Sequence, residues 1–171
     1  MQTFTLERIG RAVDQAEVLD RVADPIHQRL DPLLDPSAVG AVLRGEWLGH
    51  PVHPLLTDIP IGCWTTAWIL DVFGGSDQEG WAEAFVALGV VAAVPTAWAG
   101  WADWLRLSPE GRRTGVVHAA ANSVAVGLYA ASWRARRKGD VRRGKRLGHA
   151  GATVATVGAY FGGHLAFGSP R

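Results

Sequence analysis

Two stretches of this chain, residues 84–102 and 147–167, contain no Asp, Glu, Lys or Arg at any position. A helix on the outside of a water-soluble bundle carries charge every third or fourth residue along its outward face. A helix without charge on any face has no side suited to water. Crossing the hydrocarbon of a bilayer takes about 20 residues at a rise of 1.5 Å each. Four segments have that length and character, at about 54–73, 84–105, 115–133 and 147–167, and none of them contains Lys or Arg.

The charge missing from the spans is concentrated in residues 1–48, 106–113 and 134–146. The expected fold is therefore all-α: an integral membrane four-helix bundle over residues 45–171, preceded by a short amphipathic, partly acidic helical extension over residues 1–44. In the extension Leu6, Ile9, Val13 and Ala16 recur at helical spacing, Asp24-Pro25 interrupts, and Ile26, Leu30, Leu33 and Leu34 follow. One or two helices lying on the membrane surface or on the bundle are expected there. The first residues, MQTFTLERIGRAVDQAEVLDRV, are charged and amphipathic and do not read as a secretory signal.

Lipid gives no hydrophobic push between helices, so membrane bundles close through small residues that let backbones approach. Gly115, Ala119, Ser123, Gly127 and Ala131 form such a ridge in the third span, and Gly151, Ala155, Ala159 and Gly163 another in the fourth. Trp47, Trp81, Trp101, Trp104 and Trp133 fall near span ends, where an aromatic belt places them. Residues 134–146 hold eight Lys and Arg against Asp140 alone, whereas residues 1–48 hold five Arg against eight acids. The positive-inside rule puts the basic loop in the cytoplasm and both termini outside. That loop has no aromatics to stack on bases, so nucleic acid is not an expected partner. Cys63 is the only cysteine, which excludes an intrachain disulfide and a Cys-cluster metal site.

Threading the four spans back and forth gathers the polar residues on one side. His50 and His53 precede the first span, Asp58 lies one turn inside it, and Asp103 ends the second. His118 begins the third with Asn122 one turn deeper, and His164 closes the fourth. Only Asp71 and His149 fall on the basic side, where they are placed to pair. His149, Thr153, Thr156, Tyr160 and His164 form one helical stripe, expected to look inward. Pro51 and Pro54 stiffen the strap that carries the first two imidazoles, and Pro54 suits the first turn of a helix.

Imidazole is the commonest protein metal ligand and a usual axial ligand of haem, and ionisable groups near bilayer depth are costly. His50, His53, His118 and His164 are thus the candidate ligands of haem b or a transition metal, with Asp58 and Asp103 as further metal ligands and Asn122 and Tyr160 supporting them. The chain lacks HExxH, GxSxG and Walker A patterns, so catalysis is not expected.

The motifs GHPVHP, TDIPIG, DVFGG, PTAWAGWADW, RRTGVVHAAAN and GGHL, in that order over about residues 45–167, resemble an uncharacterised bacterial family of four-span membrane proteins catalogued as a domain of unknown function. Some relatives carry a Rieske-type [2Fe-2S] domain after the last span. The segment FGSPR here holds neither the two Cys nor the two His of such a cluster. The resemblance implies a membrane location and, through those fusions, redox work beside a Rieske-type or other redox partner. Its motifs coincide with His50, His53, Asp58, Asp103, His118, Asn122 and His164. Three functions follow as expectations: a redox or metal-binding module serving an electron-transfer partner, an anchor or assembly subunit whose polar cluster only fixes helix packing, and a small transporter or proton channel using Tyr160 and His149. Contact with the lipid bilayer is common to all three, and a homo-oligomer is compatible with each.

Overall fold

The computed structural model describes residues 2–168, with side chains from Leu6 onward. These residues form helices and turns, with no strand among them. In chain order the helices are α1 (Gln2–Asp14), α2 (Asp20–Leu34), α3 (Ala38–Leu43), α4 (His53–Phe73), α5 (Glu79–Trp104), α6 (Pro109–Arg137) and α7 (Val141–Phe167). The four long helices cover the four apolar segments of the sequence. Two of them run further than the apolar pattern: α6 continues through Arg134, Arg136 and Arg137, and α7 starts six residues before Leu147. The basic "loop" is thus mostly helix, closed by a turn in which Gly139 adopts φ +81°, a region that glycine enters without steric cost.

The extension departs from expectation at its prolines. Helix α2 runs through Pro25 and Pro32, and the break comes earlier, around Gln15 and Ala16, ahead of a single 3-10 turn at Glu17–Leu19. Proline costs the helix a hydrogen bond, and tertiary packing offsets it. Ala23 and Leu34 are buried with Trp104 and Leu105, and Ile26 and Leu30 pack against them. His27 Nε2 also donates to the Leu105 carbonyl at 3.2 Å.

The chain divides into two compact units. The first comprises Met1–Val52, Trp98–Ala121 and Val157–Arg171, the second His53–Ala97 and Asn122–Thr156. In the first, the indole of Trp104 donates to the Arg112 carbonyl at 3.0 Å and lies on Gly115, where a Cβ would meet the ring at 2.2 Å. Trp104 is 4% exposed and so belongs to this core and not to an aromatic belt; of the five tryptophans expected in the belt, Trp47 and Trp81 are exposed.

In the second unit the core is Trp64, Ala67, Val86, Ala93 and Tyr129. Trp64 stacks on Tyr129 at a centroid distance of 4.1 Å and presses on Gly89, where a Cβ would lie 2.3 Å from Nε1. The exposed sides of α4 and α5 in this unit are largely apolar. Leu55, Ile59, Ile61, Trp68, Ile69, Val72 and Phe73 of α4, and Leu88, Val91 and Val94 of α5, are all exposed. Burial normally removes such side chains from water, and a contiguous apolar exterior marks a surface made for a non-aqueous neighbour.

Among the described residues one helical stretch, Ser76–Trp104, is long and apolar enough to cross a membrane by length and composition. Only 33% of its most apolar window is buried, unlike the central helix of a soluble core. Helix α4 contains Asp58 and Asp71, and the apolar parts of α6 and α7 are rich in Gly and Ala and contain no Ile. Close packing favours these small residues at the expense of bulk hydropathy.

Candidate functional site

The sequence-predicted site residues are distributed over both units, so each is described in its own. In the second unit His53 is the first residue of α4 and Pro54 sits in the first turn, where its missing N–H costs nothing. His53 is half-buried, and its Nδ1 lies 2.9 Å from the Thr96 carbonyl on α5. A carbonyl only accepts, so this nitrogen carries the proton. The hydroxyl of Thr96, itself buried, donates to the Leu56 carbonyl at 3.1 Å and to the Ala92 carbonyl at 2.8 Å. The Leu56 contact and that of His53 tie α4 to α5, and the Ala92 contact stays within α5. Asp58, one turn further along α4, is exposed, and Asn122 on α6 is half-buried.

In the first unit His118 Nδ1 donates to the Gly158 carbonyl at 2.8 Å, and its ring lies over Gly162, where a Cβ would come within 2.9 Å of Cε1. Glycine at 162 is what lets α6 and α7 approach across an imidazole. His164 Nε2 donates to Asp14 Oδ2 at 2.8 Å, with both side chains less than a tenth exposed. The other carboxylate oxygen of Asp14 accepts from Thr114 Oγ1 at 2.6 Å. Tyr160, one turn before His164, donates to the Leu6 carbonyl and accepts from Gly10 N at 3.2 Å. Gly10 lies so close to His164 that a Cβ would meet the ring at 2.6 Å. Helix α1 is therefore clasped onto α6 and α7 by Asp14, Gly10 and the Leu6 carbonyl. Asp103 is half-buried on α5, and His50, after Gly49 at φ +79°, is exposed.

A second clasp lies beside the first. Arg113 donates from Nε and Nη2 to the two oxygens of Asp20, each at 2.7 Å, and from Nη1 to the Asp14 carbonyl at 3.0 Å. Those guanidinium hydrogen bonds hold the Asp20 carboxyl below the usual carboxylate range and raise Arg113 in turn. Glu110 is also lowered, by its own backbone N–H and by Ser108.

The residues expected on the basic side do not pair as the sequence suggested. Asp71 binds Arg136: Nη1 donates to Oδ1 at 2.9 Å and Nη2 to Oδ2, with the side chains 3% and 1% exposed. A planar guanidinium satisfies both carboxylate oxygens at once, which one imidazole nitrogen cannot do. His149 is exposed, 6.5 Å from the ring of Trp68. Thr153 and Thr156 are exposed as well, and their hydroxyls donate to the His149 and Ala152 carbonyls of their own helix. The α7 stripe thus faces outward along that part, since a threonine whose hydroxyl bonds four residues back requires no buried partner.

Sequence reasoning missed Asp14, Thr114 and the Asp20–Arg113 pair. Arg113 and Thr114 stand in the motif RRTGVVHAAAN, but nothing there pointed to Asp14 and Asp20 as their partners. Among the described residues no group of three or more His, Cys, Asp or Glu side chains is arranged to hold a metal ion. The imidazoles of His53, His118 and His164 each meet a separate protein acceptor, while His50 and His149 are exposed.

The described residues are helical, one helical stretch among them has the length and apolar composition to cross a membrane, and α4 and α5 expose apolar side chains. The chain belongs to the family described as Predicted membrane protein (DUF2231), whose model matches residues 49–169. The match takes in His50, His53, His118 and His164, while Asp14 and helices α1–α3 lie before it. No curated protein and no solved structure matches the chain.

Proposed function

We propose that this chain is a non-catalytic membrane anchor or assembly subunit, with α4–α7 spanning a bacterial inner membrane four times and the polar cluster fixing how its helices pack. One observation carries this reading: His53, His118 and His164 each lie in hydrogen-bond contact with an acceptor on another helix. In lipid, where apolar burial does not drive helices together, such bonds and close glycine contacts supply the specificity. The Lys/Arg excess around the α6–α7 turn favours that turn in the cytoplasm and both termini outside. With Cys63→Ser as background, a thiol introduced by Lys138→Cys should react with an impermeant maleimide only in inside-out vesicles. In detergent, His118→Ala and Asp14→Asn should unfold at lower temperature than the parent. Unchanged unfolding in both would sink the packing role.

A second reading, a haem- or metal-binding module serving a redox partner, is favoured by one feature. The Nδ1 of His53 and of His118 donates to a backbone carbonyl, the outer bond that orients an imidazole whose Nε2 ligates a metal. One or two such imidazoles suit an axial haem site better than a small metal centre, which takes three or more protein ligands. His164 fits less well, because its Nε2 is held by Asp14. Transport has the least support, given that Thr153 and Thr156 bond their own helix.

A further inference from the structure

The second unit contains a cavity of about 260 Å³ at the α6–α7 turn. Ala131, Arg134, Ala135 and Lys138 line it from one side; their spacing of three, one and three places them on one helical face. Arg143 and Leu147, one turn apart on α7, line it from the other, and Asp140 stands between. The cavity lining therefore combines three cations with the apolar side chains of Ala131, Ala135 and Leu147.

These cations are not matched by protein. The ion pairs of this region are Arg136–Asp71, Arg137–Glu83 and Lys145–Glu79. Arg134, Lys138 and Arg143 form none among the described residues, and all three are exposed. The one carboxylate in the lining, Asp140, accepts from Arg143 N at 3.1 Å through Oδ1, capping α7. The lining thus sets three cations against one carboxylate beside small apolar side chains, in a chain whose neighbouring helices expose apolar side chains.

We propose that this cavity binds the phosphodiester headgroup of an anionic membrane lipid, with Arg134 and Arg143 gripping the phosphate and Ala131, Ala135 and Leu147 receiving the glycerol end of the acyl chains. Guanidinium forks match phosphate oxygens in pairs, and Lys138 adds a point charge. A soluble anion has no use for the apolar side chains. Basic pockets between membrane helices are suited to anionic headgroups on these grounds. The inference rests on α6 and α7 crossing the bilayer.

The test follows thermal unfolding of the full chain in neutral detergent while phosphatidylglycerol, phosphatidylcholine or inorganic phosphate is added. Phosphatidylglycerol should raise the unfolding temperature, with the other two inert at equal concentration. The exposed double variant Arg134→Gln, Arg143→Gln should need about tenfold or more phosphatidylglycerol for the same rise. Equal responses to the two lipids, an unchanged double variant, or protection by inorganic phosphate alone would each overturn the assignment. A chain that stays monodisperse without detergent would overturn the membrane-spanning reading itself, which these outcomes leave untouched.

Discussion

Asp71 and Arg136 show how a charge is carried inside an apolar unit. Their bidentate contact satisfies both carboxylate oxygens, and the exposure of each side chain is only a few per cent. Removing one partner leaves the other charge buried and alone, so Asp71→Asn should cost about 3–5 kcal/mol, read by thermal or chaotrope unfolding in detergent. Replacing both, in Asp71→Leu with Arg136→Leu, should recover most of that loss, because desolvation of the pair offsets much of its attraction. Asp20 behaves differently, as a partly exposed group. Its carboxyl is held low by Arg113, so the folded state binds fewer protons than the unfolded one over that range. Stability from this contact is therefore present above the ordinary carboxylate value of about 3.9 and is lost as the pH falls through the lower folded value. Asp20→Asn should remove that acid-side component of the unfolding midpoint and leave the midpoint's variation near neutrality unchanged.

The helices were legible from charge segregation and length, and α4 and α5 begin and end within a few residues of the apolar pattern. The pattern failed where something other than hydropathy sets the boundary. Helix α6 continues through arginines because Arg136 has Asp71 to bind, and α2 continues through Pro25 because Trp104 and Leu105 give its apolar face a place to pack. The ridges of small residues were visible, but not what they receive. Gly115 takes an indole and Gly151 the ring of Tyr129, whereas a Cβ added at Gly127 or Gly163 would meet nothing within 4 Å, and the glycine that takes an imidazole is Gly162, beside the second ridge and not in it. Gly89, which belongs to neither ridge, lies under Trp64, so Gly89→Ala should cost about 1–3 kcal/mol by overpacking. Gly127→Ala should be close to neutral in the same unfolding measurement.

For the whole molecule, topology alone suggested a shared cluster of imidazoles, and the structure gives His53, His118 and His164 an acceptor each. The clasp of Asp14 on His164 was out of reach of the sequence, since the two residues are 150 positions apart and no periodicity connects them. Its effect is to fasten the extension, which precedes the family match, onto α7, which lies within it. If these histidines join helices and hold no cofactor, the protein should be colourless. The decisive experiment is a reduced-minus-oxidised absorption spectrum with elemental analysis, made on full-length protein purified in detergent from cells supplied with haem and metals. No haem band and no stoichiometric metal are expected, together with a lowered unfolding temperature in His118→Ala. A haem band or a stoichiometric metal that disappears in His118→Ala would instead make that imidazole a ligand and overturn the packing role.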